Sequence, residues 1–312
     1  MMFQYLLLAF VLLTVQSLPL ADLLQQHDAL QQHQVPTSDL VYGGTRAKIG
    51  DFPSQAYLRF TDTTGYRYMC GGTLISTKYV LTAAHCVVDN VDTVEAFFGT
   101  VNIKSPNAVK MYVRDYTLHP NYFMNDTCVG DDIAILELFG HVNLPNTNIQ
   151  LAKFVKDDEE LLKSTKAVIS GFGDYKHEGN DTVASDDLLY AEVDLFSFNF
   201  CRKAFETGAY GDTMLTPMDM LCAGAKGLGV GKGDSGGPLH VRHNGELYQV
   251  GLASFISGGD AETDLRQDKT PAFFTRVSSY CDFIESATKG AAKCGRLNTV
   301  DVTSTPAVTL GN

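Results

Sequence analysis

The sequence predicts an all-β protein that ends in one helix. Short runs rich in Val, Ile, Phe, Tyr and Thr recur along the chain, and Gly, Pro, Asn and Asp separate them, which is the pattern of strands joined by turns. Many short strands with regular turn signals are typical of β-sandwiches and β-barrels. The predicted strands cover residues 56–60, 72–76, 79–83, 94–98, 111–118 and 133–138 in the first half, and residues 167–170, 189–193, 238–241, 249–254 and 272–277 in the second half.

The helix is predicted over residues 279–289. Apolar residues recur there at helical spacing, at Tyr280, Phe283, Ile284 and Ala287. Ser279 offers an N-cap, and Gly290 is a suitable stop. The remaining residues, 291–312, contain Thr, Ser and Pro and predict a flexible tail.

The first 17 residues have the pattern of an export signal. An apolar run covers residues 6–15, and small residues at cleavage-site spacing follow it, so that cleavage is expected after Ser17 or after Ala21. No Lys or Arg precedes the run, which departs from the usual signal. Because the run is too short to be a stable membrane anchor, we expect a secreted, extracellular protein with no membrane association.

Length and charge narrow the classes of function. The chain has 312 residues, which suggests about two domains, and 45% hydrophobic residues, which is enough for their cores. Its net charge is −12, and its Lys and Arg residues are not clustered. We therefore expect neither nucleic acid nor an anionic membrane as a partner.

The strongest functional signal is a serine between glycines at residues 233–238. Glycine lets the backbone turn tightly, so that Ser235 presents its hydroxyl outward and the N–H groups of Gly233 and Ser235 converge on one point. Acyl transfer needs this arrangement of a nucleophile beside preformed donors for an oxyanion. Because a serine hydroxyl alone is a weak nucleophile, the stretch predicts a base elsewhere in the chain.

Two further stretches supply a base and an acid that orients it. His85 follows an apolar run, Asp132 opens another, and the order His, Asp, Ser is one of those known for catalytic triads. Taken singly, His85 fits a core histidine as well as a catalytic one, and Asp132 fits an ordinary strand-edge acid better. The glycine-rich stretch, by contrast, fits an ordinary turn poorly. Their joint presence predicts acyl transfer with Ser235 as the nucleophile.

The three motifs resemble those of secreted serine proteases of the chymotrypsin/trypsin family. The resemblance runs from about Val41 to about Ile284. It implies a peptidase domain over residues 41–290, built from two antiparallel six-stranded β-barrels and a C-terminal helix. The first barrel is expected at about 41–150 and the second at about 151–277, with the active cleft between them.

The resemblance also implies a role for each motif residue. His85 is the general base, Asp132 orients it, Ser235 is the nucleophile, and the N–H groups of Gly233 and Ser235 form the oxyanion hole. The implied partners are protein or peptide substrates and protein inhibitors of proteases, and the implied state is a monomer. The loop after Gly99 lacks the paired glutamates that bind calcium in some relatives, so we expect no metal and no cofactor.

A further implication is synthesis as an inactive precursor. Residues 18–40 form a polar leader that corresponds to an activation propeptide, and Val41 with the Tyr-Gly-Gly sequence after it resembles the mature N-terminus of the family. In this family the new amine, here that of Val41, pairs with the acid before the reactive serine, here Asp234. Because Leu40 precedes the cut, we expect self-activation rather than activation by trypsin.

The resemblance extends to the primary specificity pocket. The residues expected to form it are Gly229, Val230, Ser254, Phe255, Ile256 and Ala272. Gly229 stands where trypsins carry an acid, so no carboxylate would pair a substrate Lys or Arg. Ile256 replaces the usual glycine and would narrow the pocket, as in elastases. We expect cleavage after small to medium apolar residues; cleavage after large aromatic residues, as by chymotrypsin, is the alternative.

Two other classes of function are weighed against the protease. A non-catalytic homologue that acts as a secreted binding module usually lacks one of the three triad residues, and none is substituted here. A secreted esterase on another fold would carry a Gly-x-Ser-x-Gly stretch and a different residue order.

Seven cysteines in an exported chain predict disulfides with one cysteine left over. The resemblance implies two bridges, Cys70–Cys86 and Cys201–Cys222. The family's bridge beside the reactive serine is absent, since Gly231 stands at its first position and no cysteine occurs between residues 254 and 271. Of the remaining three cysteines we favour Cys128–Cys281, which leaves Cys294 free or intermolecular.

Two Asn-x-Thr sequons predict N-linked glycosylation, at Asn125 and Asn180. Both fall in loops of the implied fold.

Overall fold

Antiparallel strands dominate the computed structural model, which describes residues 41–87, 90–124, 129–145, 148–179, 181–207, 219–256 and 260–297. Nine strands lie in the described residues of the first half: β1 (Thr45–Arg46), β2 (Gln55–Asp62), β3 (Arg67–Leu74), β4 (Tyr79–Thr82), β5 (Val91–Phe98), β6 (Val109–Leu118), β7 (Phe123–Met124), β8 (Val129–Gly130) and β9 (Ala134–Leu138).

The described residues of the second half add eight strands and three α-helices. The strands are β10 (Lys166–Gly171), β11 (Asp174–Glu178), β12 (Asp181–Ala184), β13 (Leu189–Leu195), β14 (Met220–Gly224), β15 (Pro238–His243), β16 (Glu246–Ile256) and β17 (Ala272–Arg276). The helices are α1 (Phe198–Thr207), α2 (Ala261–Asp264) and α3 (Cys281–Ala287), and 3₁₀ turns cover Ala84–Cys86, Leu161–Lys163 and Val277–Tyr280.

Six strands close the first barrel in the order β2-β3-β4-β9-β6-β5. The alternation typical of a strand with one face on the core is clear in β5, where Val94, Ala96 and Phe98 are buried and the residues between them are partly exposed. These side chains share a core with Phe60 and Leu136, each at most 1% exposed. Burial of one such large apolar side chain stabilises the fold by roughly 1.5–3 kcal/mol.

The second barrel also closes with six strands. Its order is β13-β10-β15-β16-β17-β14, and β14 pairs back onto β13 to complete the cylinder. The short strand β1 adds to β13, with Thr45 opposite Tyr190. This pairing brings the segment that begins at Val41 against the second barrel, and Val41 itself lies in the barrel core with Leu239 and Phe274. The prediction of an all-β fold with two six-stranded barrels is confirmed.

Both faces of strand β9 are buried, one in the core of the first barrel and the other in contact with the second barrel. Leu136 points into the first barrel, whereas Ile135 packs with Leu252 of the second barrel and with Ile284 of α3 in a separate apolar cluster. When the side chains on both faces of a strand are buried, its sequence is mostly apolar and lacks the apolar/polar alternation of a half-exposed strand. The acid that precedes β9 therefore lies between the two barrels.

The C-terminal helix is shorter than predicted. Residues 277–280 form a 3₁₀ turn, so that α3 begins at Cys281, and Tyr280 rather than Ser279 precedes it, with no side-chain cap. Gly290 lies in the left-handed region, with φ of +79°, as suits the residue that ends a helix. Residues 291–297, assigned to the flexible tail, instead pack on the body: Gly295 donates to the Phe154 carbonyl at 2.8 Å.

Three disulfides lie within the described residues: Cys70–Cys86, Cys201–Cys222 and Cys281–Cys294. The predicted Cys128–Cys281 pairing is wrong. Cys281 opens α3, and the chain reverses after Gly290, which brings the Cα of Cys294 within 5.7 Å of the Cα of Cys281, inside the range that a disulfide needs. Cys294 is therefore paired, contrary to the expectation that it is free or intermolecular.

Several predicted features lie outside the described residues: the signal at 1–17, the leader at 18–40, Cys128, the sequons at Asn125 and Asn180, and residues 298–312. In the described part of the chain, no helix combines the length and apolar character needed to cross a bilayer.

Candidate active site

Strand pairing brings His85 and Asp132 together. His85 lies in the 3₁₀ turn just after β4, Asp132 lies just before β9, and Thr82 of β4 faces Ala134 of β9 in the antiparallel ladder. His85 Nδ1 lies 2.8 Å from Asp132 Oδ2, and the His85 backbone N–H donates to Asp132 Oδ1 at 2.9 Å. Both carboxylate oxygens therefore hold the same histidine.

Two residues of the second barrel donate hydrogen bonds to Asp132, which belongs to the first barrel. The Ser254 hydroxyl, on β16, donates to Asp132 Oδ2 at 2.5 Å, and the Thr275 hydroxyl, on β17, donates to the Asp132 carbonyl at 2.9 Å. The sequence identified Ser254 by resemblance but missed Thr275, because a buried threonine in a strand has no distinctive pattern. Asp132 is 1% exposed, so the hydrogen bonds from His85 and Ser254 replace the water that its carboxylate would otherwise bind.

The pKa values of the pair move in opposite directions. Burial by itself lowers the pKa of His85, but the charge of the Asp132 carboxylate and its hydrogen bond outweigh burial and raise that pKa above its ordinary value. Burial raises the pKa of Asp132, but the His85 charge and the hydrogen bonds from His85 and Ser254 lower it overall. The pair thus favours an ionised acid beside a histidine that binds a proton readily.

Ser235 lies on a tight turn before β15. Its carbonyl accepts the Gly71 N–H at 2.8 Å, and the Gly236 N–H donates to the Ala253 carbonyl at 2.7 Å. Gly236 has a φ of +73°, and a Cβ there would lie 2.1 Å from Thr82 Oγ1, so only glycine fits. The turn leaves Ser235 half-buried, and it lines the same cavity of about 380 Å³ as His85.

The predicted oxyanion hole lies in the same turn. Gly233 has a φ of +91°, a conformation that glycine adopts without strain and that fixes the direction of the neighbouring N–H groups. A Cβ at this position would also approach Met69 to 3.0 Å. The convergence of the Gly233 and Ser235 N–H groups on one oxyanion stays a prediction.

Asp234 points away from the cavity and is 2% exposed. Its Oδ1 accepts the Gly173 N–H at 2.8 Å, and its Oδ2 accepts the Gly231 N–H at 2.9 Å. Burial raises the pKa of Asp234 to about 7, and the backbone hydrogen bonds only partly oppose it. Among the described residues, no basic side chain forms an ion pair with this carboxylate.

The segment after Val41 is held by a buried polar cluster. The Tyr42 hydroxyl donates to Asp264 Oδ2 at 3.2 Å, and His177 Nε2 lies 3.0 Å from that hydroxyl and 3.1 Å from Asp264 Oδ2. The Tyr42 and His177 rings also stack, with centroids 5.3 Å apart. Tyr42 thus links the N-terminal segment to β11 and α2.

A small cavity of about 90 Å³ opens beside Ser235. Four predicted pocket residues line it: Val230, Ser254, Phe255 and Ile256. The Phe255 ring stacks on Phe273, with centroids 4.7 Å apart. Ala272 is 1% exposed, pairs with Ile256 across the ladder and does not line the cavity.

Gly229 does not line the cavity either, because another side chain covers it. A Cβ at Gly229 would lie 2.0 Å from the amide carbon of Gln267, which is 1% exposed. Sequence analysis did not single out Gln267, because it lies within an insertion between Ser257 and Thr270 that has no counterpart in the family pattern.

Cys70, His85 and Cys86 place three atoms of metal-binding type close together. The two sulfurs form a disulfide, so neither is the thiolate that a metal would bind.

Comparison with known proteins identifies the family of this chain. The sequence model of the trypsin family matches residues 41–284, which is most of the chain and the range that the motifs indicated. The chain belongs to the trypsin family. This is a family of serine endopeptidases that act on protein and peptide substrates.

Its similar relatives include elastase-like members. The chain is 34% identical over 254 residues to chymotrypsin-like elastase family member 1 of Bos taurus, covering 80% of this chain and 90% of the relative. The corresponding protein of Rattus norvegicus is 32% identical over 253 residues, with coverage of 80% and 90%. Trypsin Tyr p 3.0101 of Tyrophagus putrescentiae is 33% identical over 271 residues, with coverage of 84% and 85%.

Proposed function

We propose that this trypsin-family chain is a secreted serine endopeptidase, made as a zymogen, that cleaves peptide bonds after small to medium apolar residues. The observation that carries the proposal is the joint geometry of His85, Asp132 and Ser235. Two hydrogen bonds fix the histidine on a buried acid, and the histidine and serine line one cavity.

The proposed reaction follows the serine-protease mechanism. Ser235 attacks the scissile carbonyl while His85 takes its proton, and His85 then gives that proton to the leaving amine. Asp132 keeps the Nδ1 proton on the side of the acid and stabilises the imidazolium. The N–H groups of Gly233 and Ser235 bind the oxyanion, and the loss of one such donor costs about 3 kcal/mol in comparable sites.

The size of the cavity beside Ser235 supports a preference for aliphatic side chains. Its volume is about 90 Å³, whereas a cavity that accommodates benzene has a volume of about 150 Å³. Val230 and Ile256 provide aliphatic walls, and Gly229 carries no charge. An Arg or Lys side chain would bury a cation without a partner, which is costly. Cleavage after large aromatic residues is the alternative.

The environment of Asp234 supports synthesis as a zymogen. A buried carboxylate without a cation is costly, and a new amine at Val41 would supply that cation. Val41 is buried in the same barrel core as Val230, which precedes Asp234 by four positions in the sequence. Cleavage of the bond between Leu40 and Val41 would therefore switch on the site. Because a pocket that takes Leu would accept Leu40, we propose that the enzyme cuts itself.

Self-activation is tested by N-terminal sequencing. The wild-type chain and the Ser235→Ala variant are expressed separately and the secreted proteins are sequenced. We expect only the wild type to begin at Val41. A variant that also begins there would show that another protease makes the cut.

Secretion and a monomeric state complete the proposal. The export pattern at residues 1–17 supports the first, and so do three disulfides within the described residues, since such bonds persist in oxidising compartments. N-linked glycans at Asn125 and Asn180 and inhibition by protein protease inhibitors belong to the same proposal.

A fluorophosphonate probe tests the function directly. We expect it to label the activated wild type and not the Ser235→Ala variant. As a control, the two proteins should have the same circular dichroism spectrum and the same secretion yield. A protein that takes no label and cleaves no peptide after activation would instead be a non-catalytic homologue.

A further inference from the structure

The Gln267 side chain lies directly against Gly229, behind the wall of the cavity beside Ser235. A Cβ built on Gly229 would lie 2.0 Å from the amide carbon and the amide oxygen of Gln267, and 2.4 Å from its nitrogen. The volume that a side chain at Gly229 would fill is therefore already occupied. A side chain at this position would have to displace the Gln267 amide from its place.

The same amide binds the cavity wall at two points. Gln267 Nε2 donates to the Val230 carbonyl at 2.8 Å, and Gln267 Oε1 accepts the Val230 N–H at 3.2 Å. Val230 lines the cavity, whereas Gln267 is 1% exposed. Because both the oxygen and the nitrogen of the amide form hydrogen bonds, its burial leaves neither of these two atoms unpaired. The two hydrogen bonds to Val230 also fix the position of the amide.

The backbone that carries Gln267 is also anchored. The Gly227 N–H donates to the Leu265 carbonyl at 2.8 Å, and Arg266 forms an ion pair with Asp268 at 2.9 Å. A Cβ at Gly224 would lie 2.4 Å from the Gln267 carbonyl, so the main chain here is tightly packed. The family's disulfide beside the reactive serine, absent from this sequence, would join the same two segments. In this chain the Gln267 amide links them without a covalent bond.

We infer that Gln267 is the residue that determines specificity at the floor of the primary pocket. It fills the space beside Gly229, which does not line the cavity, and it holds Val230, which does, so that the site takes peptides with a compact aliphatic side chain, such as Val or Leu, before the scissile bond. This inference rests on the proposed function and adds to it the group that sets the depth of the pocket.

The direct test shortens the side chain. Wild type, Gln267→Ala and Gln267→Glu are activated, their active sites are counted with the fluorophosphonate, and kcat/KM per site is measured on peptides that end in Val, Leu or Phe. We expect Gln267→Ala to raise the Phe-to-Val ratio of kcat/KM at least tenfold, since a methylene-sized change in an apolar pocket changes selectivity by about 10–200-fold. Gln267→Asn removes one methylene and should act in the same direction if the alanine variant does not fold.

Gln267→Glu separates volume from hydrogen bonding. It keeps the size of the floor but places an oxygen opposite the Val230 carbonyl. We expect kcat/KM to fall for every peptide while the Phe-to-Val ratio stays within threefold of wild type. An unchanged ratio in both Gln267→Ala and Gln267→Asn, with a full count of active sites, would overturn the inference.

A double-mutant cycle tests the contact itself. Gly229→Ala alone should lower kcat/KM at least tenfold for all peptides, because the new methyl group collides with the Gln267 amide. In the Gln267→Ala background the same change should cost less than threefold, since neighbours in contact are not additive. Additive effects would overturn the inference and leave the proposed function intact. A wild type that takes no fluorophosphonate would overturn the proposed function and, with it, the specificity role.

Discussion

Replacing Asp132 with asparagine separates the negative charge of this side chain from its shape. Asp132 Oδ1 accepts the His85 backbone N–H, so the asparagine oxygen must stay there. The asparagine NH₂ group then faces His85 Nδ1, in the place of Oδ2. It donates to Nδ1, which moves the ring proton to Nε2 on the side of Ser235. A protonated Nε2 cannot take the serine proton, so the base is lost although its position is kept.

The expected loss in kcat is about four orders of magnitude, or about 5 kcal/mol in the activation barrier. Loss of the carboxylate also removes the group that raises the pKa of His85 and leaves only the opposing effect of burial. Because activity requires neutral His85, the acid limb of the remaining activity should move to lower pH. The assay is kcat against pH on a Val-ending peptide, normalised to titrated active sites.

Asp131→Asn is the matched control. Asp131 precedes Asp132, contacts His119 rather than His85, and has a φ of +49°, which asparagine tolerates. It should keep activity within a few-fold of wild type. An Asp132→Asn enzyme within tenfold of wild type across the pH range, or an acid limb displaced to higher pH, would refute the tautomer argument.

Three further predictions concern the N-terminal segment, the precursor and the pocket. Tyr42→Phe removes a donor from buried Asp264 and should lower the free energy of unfolding by about 1–3 kcal/mol in urea; no change would mean that the contact contributes nothing. Burial raises the pKa of Asp234 from 3.8 to about 7 in the uncut chain. The free energy of unfolding of the uncut Ser235→Ala chain should therefore fall by up to about 4 kcal/mol, relative to that of the chain cut before Val41, as pH rises from about 4 to about 7. A constant difference between cut and uncut chains in that window would contradict it. Ile256→Gly should raise kcat/KM for Phe-ending peptides about tenfold relative to Val-ending ones, and an unchanged ratio would remove Ile256 from the selectivity of the pocket.

Local patterns in the sequence predicted the features that depend on neighbouring residues. Alternating apolar positions, as in β5, follow from the side-chain period of a strand. The turn around Ser235 follows from glycines that adopt positive φ at Gly233 and Gly236. The helix was predicted from its periodicity, but its start was wrong by two residues, because a 3₁₀ turn and an α-helix share the same spacing over so few residues.

Contacts between distant parts of the chain were harder to predict. The sequence paired Cys281 with Cys128, yet the reversal after Gly290 brings Cys294 to it instead. Nothing in the composition around Gln267 marks it as a neighbour of Gly229, 38 positions before it. Such contacts depend on how loops lie on the barrels, and loop conformation is not set by periodicity.

The sequence by itself determined the family, the all-β class and the identities of the serine, histidine and aspartate, because each depends on residue types within a short stretch. Only the tertiary structure decided what surrounds them: Thr275 behind Asp132, Tyr42 bound to Asp264, and the Gln267 amide against Gly229. These contacts join strands and loops far apart in the chain. Their geometry follows from the closure and packing of the two barrels, which no local pattern encodes.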